Sequence, residues 1–153
     1  MTKIIIREAI RDDLKVIKSL LDNASLPSVD IENHLLNFLV LETSANLVGT
    51  IGMERYGDTA LLRSLAIQND YRNKGYGKEL YYALISKLKK KNVNSIYLLT
   101  ETAEGFFSKE GFQKIAREDV PPSIKQTQEY SNLCPEGAVC MVKMLNEETS
   151  LIP

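Results

Sequence analysis

The stretch that most constrains this chain is Leu61 to Tyr82, LLRSLAIQNDYRNKGYGKELYY. An apolar run from Leu61 to Ile67, interrupted by Arg63 and Ser64, reads as a strand. The polar turn Gln68 to Asn73 follows, and Lys74-Gly75-Tyr76-Gly77-Lys78 opens a helix whose Leu80, Ala83, Leu84 and Leu88 share one face. A strand, a glycine-containing turn and a helix in that order have a chemical use. The first helical turn presents amides without internal partners, and the helix dipole adds positive charge there. Gly75 and Gly77 let a diphosphate approach those amides, and Arg72, Lys74 and Lys78 add cationic groups.

Two nucleotide motifs fail on their defining residues. In a P-loop, Gly-Lys is followed by Ser or Thr, whereas Gly77-Lys78 is followed by Glu79, and Arg72 stands where the earlier glycine belongs. A dinucleotide turn needs a third glycine where this chain has Leu80.

Arg72-Asn73-Lys74-Gly75-Tyr76-Gly77 instead resembles R/Q-x-x-G-x-G/A, the acetyl-CoA pyrophosphate loop of the GNAT N-acetyltransferases. Leu65-Ala66-Ile67 looks like the end of that family's fourth strand, and Lys109-Glu110-Gly111-Phe112 resembles its later K-x-G-F motif. Within the family, Ala60 to Ile67, Tyr97 to Thr102, Phe106-Phe107 and Leu133-Cys134-Pro135 to Cys140-Met141 resemble the N-acetyltransferases of arsenic-resistance operons. These are similar to the acetyltransferase domain of N-acetylglutamate synthases. The likeness runs from Ile4 to Leu145, with 146–153 as a C-terminal tail.

The resemblance implies an α/β (α+β) fold: a single mixed, mostly antiparallel, splayed sheet of about seven strands with helices on both faces. It implies acetyl-CoA as co-substrate, with the pyrophosphate at Arg72, Asn73, Lys74, Gly75, Tyr76, Gly77 and Lys78. The pantetheine arm is expected along Leu65, Ala66 and Ile67, in a gap between Leu61–Ile67 and Ser95–Leu99, with Phe106 also at the cofactor.

Composition agrees with one globular domain: 153 residues, 44% hydrophobic and 25% charged. A net charge of −1 argues against nucleic-acid or membrane partners, and Lys87, Lys89, Lys90 and Lys91 complement the end of a helix dipole. No membrane span or signal-peptide pattern is visible, so a cytoplasmic location is expected. No metal is expected: Cys134 and Cys140 have no histidine beside them, and His34 is distant in sequence.

Periodicity predicts a strand over Lys3–Arg7, a helix capped by Asp12 and ending near Asn23, and a shorter helix over Val29–Leu36. Strands follow over Asn37–Glu42, Leu47–Arg55 and Leu61–Ile67, and beyond the central helix over Ser95–Leu99. A helix over Thr102–Lys109 stopped by Gly111, a strand over Gln113–Ala116, a helical turn from Pro121 to about Gln128 and a strand over Ala138–Leu145 complete the layout.

For the chemistry, Glu54 is the first candidate base and Glu101 the second. A tyrosine that the family often uses as acid would fall on Phe107, so that group is absent; Tyr130 and Cys134 are the other donors considered. Arg63 interrupts an apolar strand two residues before Leu65. It either has a buried partner such as Glu54 or offers its fork to an acceptor carboxylate. The expected function is acetyl-CoA-dependent acetylation of a small amine, an amino acid or analogue. A protein or peptide acetyltransferase and a non-catalytic acyl-CoA-binding domain are the alternatives, and a homodimer is left open.

Overall fold

The computed structural model describes residues 3–127, 130 and 137–145. Seven strands form one mixed sheet in the order β1-β2-β3-β4-β5-β7-β6. They are β1 Ile4–Glu8, β2 Phe38–Thr43, β3 Asn46–Tyr56, β4 Thr59–Ile67, β5 Ser95–Thr100, β6 Gln113–Lys114 and β7 Val139–Met144. The helices are α1 Leu14–Asn23, α2 Tyr76–Lys90, α3 Glu104–Lys109 and α4 Pro122–Lys125. Among the described residues no helix is long and apolar enough to cross a membrane. The chain falls into two compact units, one within Met1–Glu54 and Arg63–Leu88, the other within Arg55–Leu62 and Lys89–Pro153.

In the first unit β1 runs antiparallel to β2, with Ile4 opposite Thr43 and Glu8 opposite Leu39. The β2–β3 register carries an irregularity between Leu41 and Glu42. β3 is buried continuously from Val48 to Glu54, as a strand covered on both faces must be. Its two glycines answer to close approach: Phe38 lies opposite Gly52, and a Cβ there would meet the phenyl ring at 2.5 Å. Ile17, Leu20 and Leu21 of α1 pack with Phe38, Val40, Ile31 and Ala66 into one apolar cluster.

Two predicted helix features are corrected. Asp13, and not Asp12, works at the start of α1. Its carboxylate accepts the Ile10 N–H at 2.8 Å and pairs with Arg7 at 2.8 and 3.0 Å. The predicted helix over Val29–Leu36 is two 3-10 turns, Ile31–Asn33 and Leu35–Asn37. A segment that short has little intrinsic helical stability, and its tertiary bonds decide its shape. The chain enters it from a tight stop on α1: the Ser25 and Leu26 amides donate to the Asp22 and Leu21 carbonyls, with Ser25 left-handed at φ 58°.

In the second unit β4 runs parallel to β5 from Thr59↔Ser95 to Leu61↔Tyr97. β7 is antiparallel to β5 over six pairs, and the short β6 pairs with β7. α3 ends as predicted at Gly111, whose φ of +98° suits a residue without Cβ. The strand expected over Gln113–Ala116 is only two residues long, and the last helical turn stops at Lys125.

Candidate functional site

The glycine turn comes first. Past Ile67, the Gln68 amide donates to the Val48 carbonyl at 2.8 Å, anchoring the start of the turn to β3. A 3-10 turn over Asn69–Tyr71 follows, then Asn73 at φ 64° and Gly75 at φ 82°, and α2 begins at Tyr76. The Gly75 carbonyl accepts the Glu79 amide at 3.1 Å, placing Gly75 at the cap. A Cβ at Gly75 or at Gly77 would meet no protein atom within 4 Å. Neither glycine is therefore explained by internal packing, and Gly77 is not required by a left-handed φ either. Gly75 answers to its left-handed φ, and for Gly77 what remains is open access to the first amides of α2.

Lys74 and Lys78 stand exposed beside these amides. Arg72 is also exposed but folds back, its Nε donating to the Ile67 carbonyl at 3.1 Å. A cleft of about 250 Å³ adjoins the turn, lined by Leu20, Asn23, Ile67, Gln68, Asn69, Asp70 and Arg72. Leu65 and Ile67 are half-buried on β4, with Ala66 buried between them.

The second feature is a cluster around Arg63. In the middle of β4 Ser64 takes a left-handed φ of 64°. Such a φ interrupts the regular alternation of side chains along a strand between Arg63 and Leu65. The Arg63 Nε donates to Ser64 Oγ at 3.0 Å. Its Nη1 donates to Asp30 Oδ2 at 2.6 Å and to Glu54 Oε2 at 2.7 Å, and its Nη2 to Asp30 Oδ1 at 2.7 Å. His34 Nε2 stands 3.8 Å from Asp30 Oδ2 and 3.7 Å from Glu54 Oε1. Burial alone would push the Asp30 carboxyl up, but hydrogen bonds and charge from Arg63 outweigh it and hold it below the ordinary aspartate range.

Of the two readings of Arg63, the buried partner is the one the geometry carries, and the fork faces protein carboxylates. Glu54 and Arg63 are brought together as the sequence suggested. Asp30 and His34 are additions, whose only signal was an acid and a histidine four residues apart in Val29–Leu36. Asp30, His34 and Glu54 each offer a ligand atom within 4.8 Å of the others. A metal cation among them would lie against the permanently charged Arg63 guanidinium, so the donor set suits an ion-pair network better than a metal.

The other candidates lie in the second unit. Glu101 is exposed in the turn after β5. Phe107 is buried, edge-on to Phe106 and Phe112 with ring centroids 5.0 and 5.4 Å away, so the position expected for a tyrosine is core. Phe106 is half-buried beside it. The Tyr130 hydroxyl donates to the Arg117 carbonyl at 2.9 Å, and burial pushes its phenol up, making it a poorer proton donor. Cys140 is buried, and burial pushes its thiol up as well. Cys134 lies outside the described residues.

The acetyltransferase (GNAT) domain model matches residues 34–114, more than half of the chain and all of the glycine turn. The chain belongs to the GNAT acetyltransferase family. An uncharacterized N-acetyltransferase of Chlorobaculum tepidum is 31% identical over 121 residues, covering 76% of each chain. An amino-acid acetyltransferase of Neisseria meningitidis is 26% identical over 98 residues, 63% of this chain but only 22% of that one. In structure, the N-acetylglutamate synthase of Neisseria gonorrhoeae with coenzyme A and N-acetyl-glutamate aligns over 94% of this chain at a TM-score of 0.82 and 22% identity. This GNAT chain spans 35% of that larger protein. A GNAT acetyltransferase of Staphylococcus aureus aligns at a TM-score of 0.75 and 24% identity, covering 94% of this chain and 99% of that one.

Proposed function

We propose that this protein transfers the acetyl group of acetyl-CoA to the amine of a small acceptor, an amino acid or an amino-acid analogue. The observation that carries the cofactor reading is the open space at the Cβ positions of Gly75 and Gly77, beside the first amides of α2. On this reading the pyrophosphate sits on the amides from Asn73 to Lys78, with Lys74 and Lys78 beside it. The pantetheine arm runs back along Leu65, Ala66 and Ile67, and the thioester lies toward Arg63.

The acceptor reading rests on the charged cluster and on relatives whose names include amino-acid acetyltransferase. An acceptor amine must be neutral to attack. At pH 7 that costs about 1.4 kcal/mol for an α-amine with a pKa near 8, against roughly 4.6 kcal/mol for a lysine side chain. Glu54, the expected base, is 3% exposed and bonded to Arg63 at 2.7 Å, so it acts on proton removal through the cluster, and Arg63 acts on the acceptor through the carboxylates it fixes.

The test is release of the CoA thiol from acetyl-CoA with free amino acids, their analogues, the matching amides and a short peptide. Faster release with free amino acids than with amides supports this acceptor class. Equal rates would move the acceptor to plain amines, and a preference for the peptide would favour a peptide acetyltransferase.

A further inference from the structure

Building on the transferase reading, we infer that His34 is the group that takes the proton from the acceptor amine, with Asp30 and Glu54 as its positioning residues. Four side chains meet at this place, and their exposure differs sharply. The side chains of Arg63, Asp30 and Glu54 are 0%, 1% and 3% exposed, whereas His34 is 24% exposed. The imidazole is the member of the cluster that a dissolved amine can reach.

Its distances suit a proton acceptor. At 3.8 and 3.7 Å, Nε2 is beyond hydrogen-bond range of Asp30 and Glu54, so neither carboxylate locks the neutral ring as a donor. Both distances lie within ion-pairing range, so a proton on His34 gains two anionic partners at once. The fixed charges point the same way. Asp30 and Glu54 are both bonded to Arg63, which fixes the two carboxylates in place beside the ring. Among the described residues, the ring pairs with Asp30 from its own segment and Glu54 from β3, and Arg63 from β4 bonds both. Lys18 of α1 is held by Glu32 at 3.0 Å.

Placement agrees with the cofactor path. Arg63 precedes Leu65 and Ile67 by two and four residues, about 7 and 13 Å along a strand. The cluster therefore lies on the acetyl side of the pantetheine contacts. In the step, an acceptor ammonium gives one proton to His34 Nε2, and the freed nitrogen lone pair attacks the thioester carbonyl. The C–N bond forms, the C–S bond breaks, and the second nitrogen proton leaves with sulfur as the CoA thiol. His34 returns its proton to water through its exposed edge. No tyrosine at position 107 is needed for this balance.

The test uses thiol release with acetyl-CoA and the amino-acid panel between pH 6 and 9, beside calorimetry with CoA. His34→Gln is expected to lower kcat by about a hundredfold or more. The CoA Kd stays unchanged, so the loss falls on turnover and not on cofactor binding. Added imidazole restores part of the rate to His34→Ala, which a merely structural loss would not allow. A His34→Gln variant that binds CoA and turns over within about threefold of wild type overturns the inference and leaves the transferase reading standing. Wild-type protein that binds CoA but releases thiol no faster with any amine than with buffer overturns that reading and this inference together.

Discussion

Arg63 meets Asp30 fork to fork, with Nη1 2.6 Å from Oδ2 and Nη2 2.7 Å from Oδ1, and both side chains are closed to solvent. Thirty-three residues separate them, so the pair ties the 3-10 segment carrying His34 to β4. Breaking such a buried pair leaves a desolvated charge without its partner. Asp30→Ala should cost about 3–5 kcal/mol, read as a lower urea midpoint. A loss under about 1 kcal/mol would show that water replaces the carboxylate.

Acid sensitivity follows from Asp13. Its hydrogen bonds with Arg7 outweigh the opposing effect of burial and hold its carboxyl below the ordinary range. A folded value below the unfolded one, near 3.9, means the contribution is complete above pH 4 and is lost as pH falls through the folded value. Urea unfolding below pH 4 should therefore show a weaker pH dependence in Asp13→Asn than in wild type. Identical slopes would contradict the assignment.

Phe38 and Gly52 test the first unit's packing. Gly52→Ala puts a methyl group where the ring already lies and should destabilise by roughly 1–3 kcal/mol. Phe38→Leu in that background should recover part of the loss, and additive losses would argue against a direct clash.

Phe107→Tyr should not repair a missing acid. The ring is buried between two aromatic neighbours, so a new hydroxyl lowers stability by about 1–3 kcal/mol without raising kcat. A gain in kcat would place this position beside the thioester.

The sequence made local features legible and long-range ones illegible. The turn at Gly75 and Gly77 could be read because its chemistry is written in consecutive residues, and the strands because burial leaves apolar runs. Asp30 and His34 could not be read as site residues. Their meaning depends on Arg63 and Glu54, which lie 20 to 33 residues away along the chain. The same distance effect hid the 3-10 turns, because their shape answers to that pairing. Arg63 was visible as an anomaly in an apolar strand, but the left-handed φ of Ser64 beside it leaves no periodic trace.

The most direct measurement is a calorimetric titration of CoA into wild-type protein and Gly77→Asp. A Cβ at this position would meet no protein atom within 4 Å, and the φ is not left-handed, so the variant should fold with a melting temperature close to that of wild type. Its carboxylate would occupy the place assigned to the pyrophosphate, so CoA affinity should fall at least about tenfold, or about 1.4 kcal/mol. Equal CoA affinity in a folded Gly77→Asp variant would contradict the assignment of this turn to the cofactor.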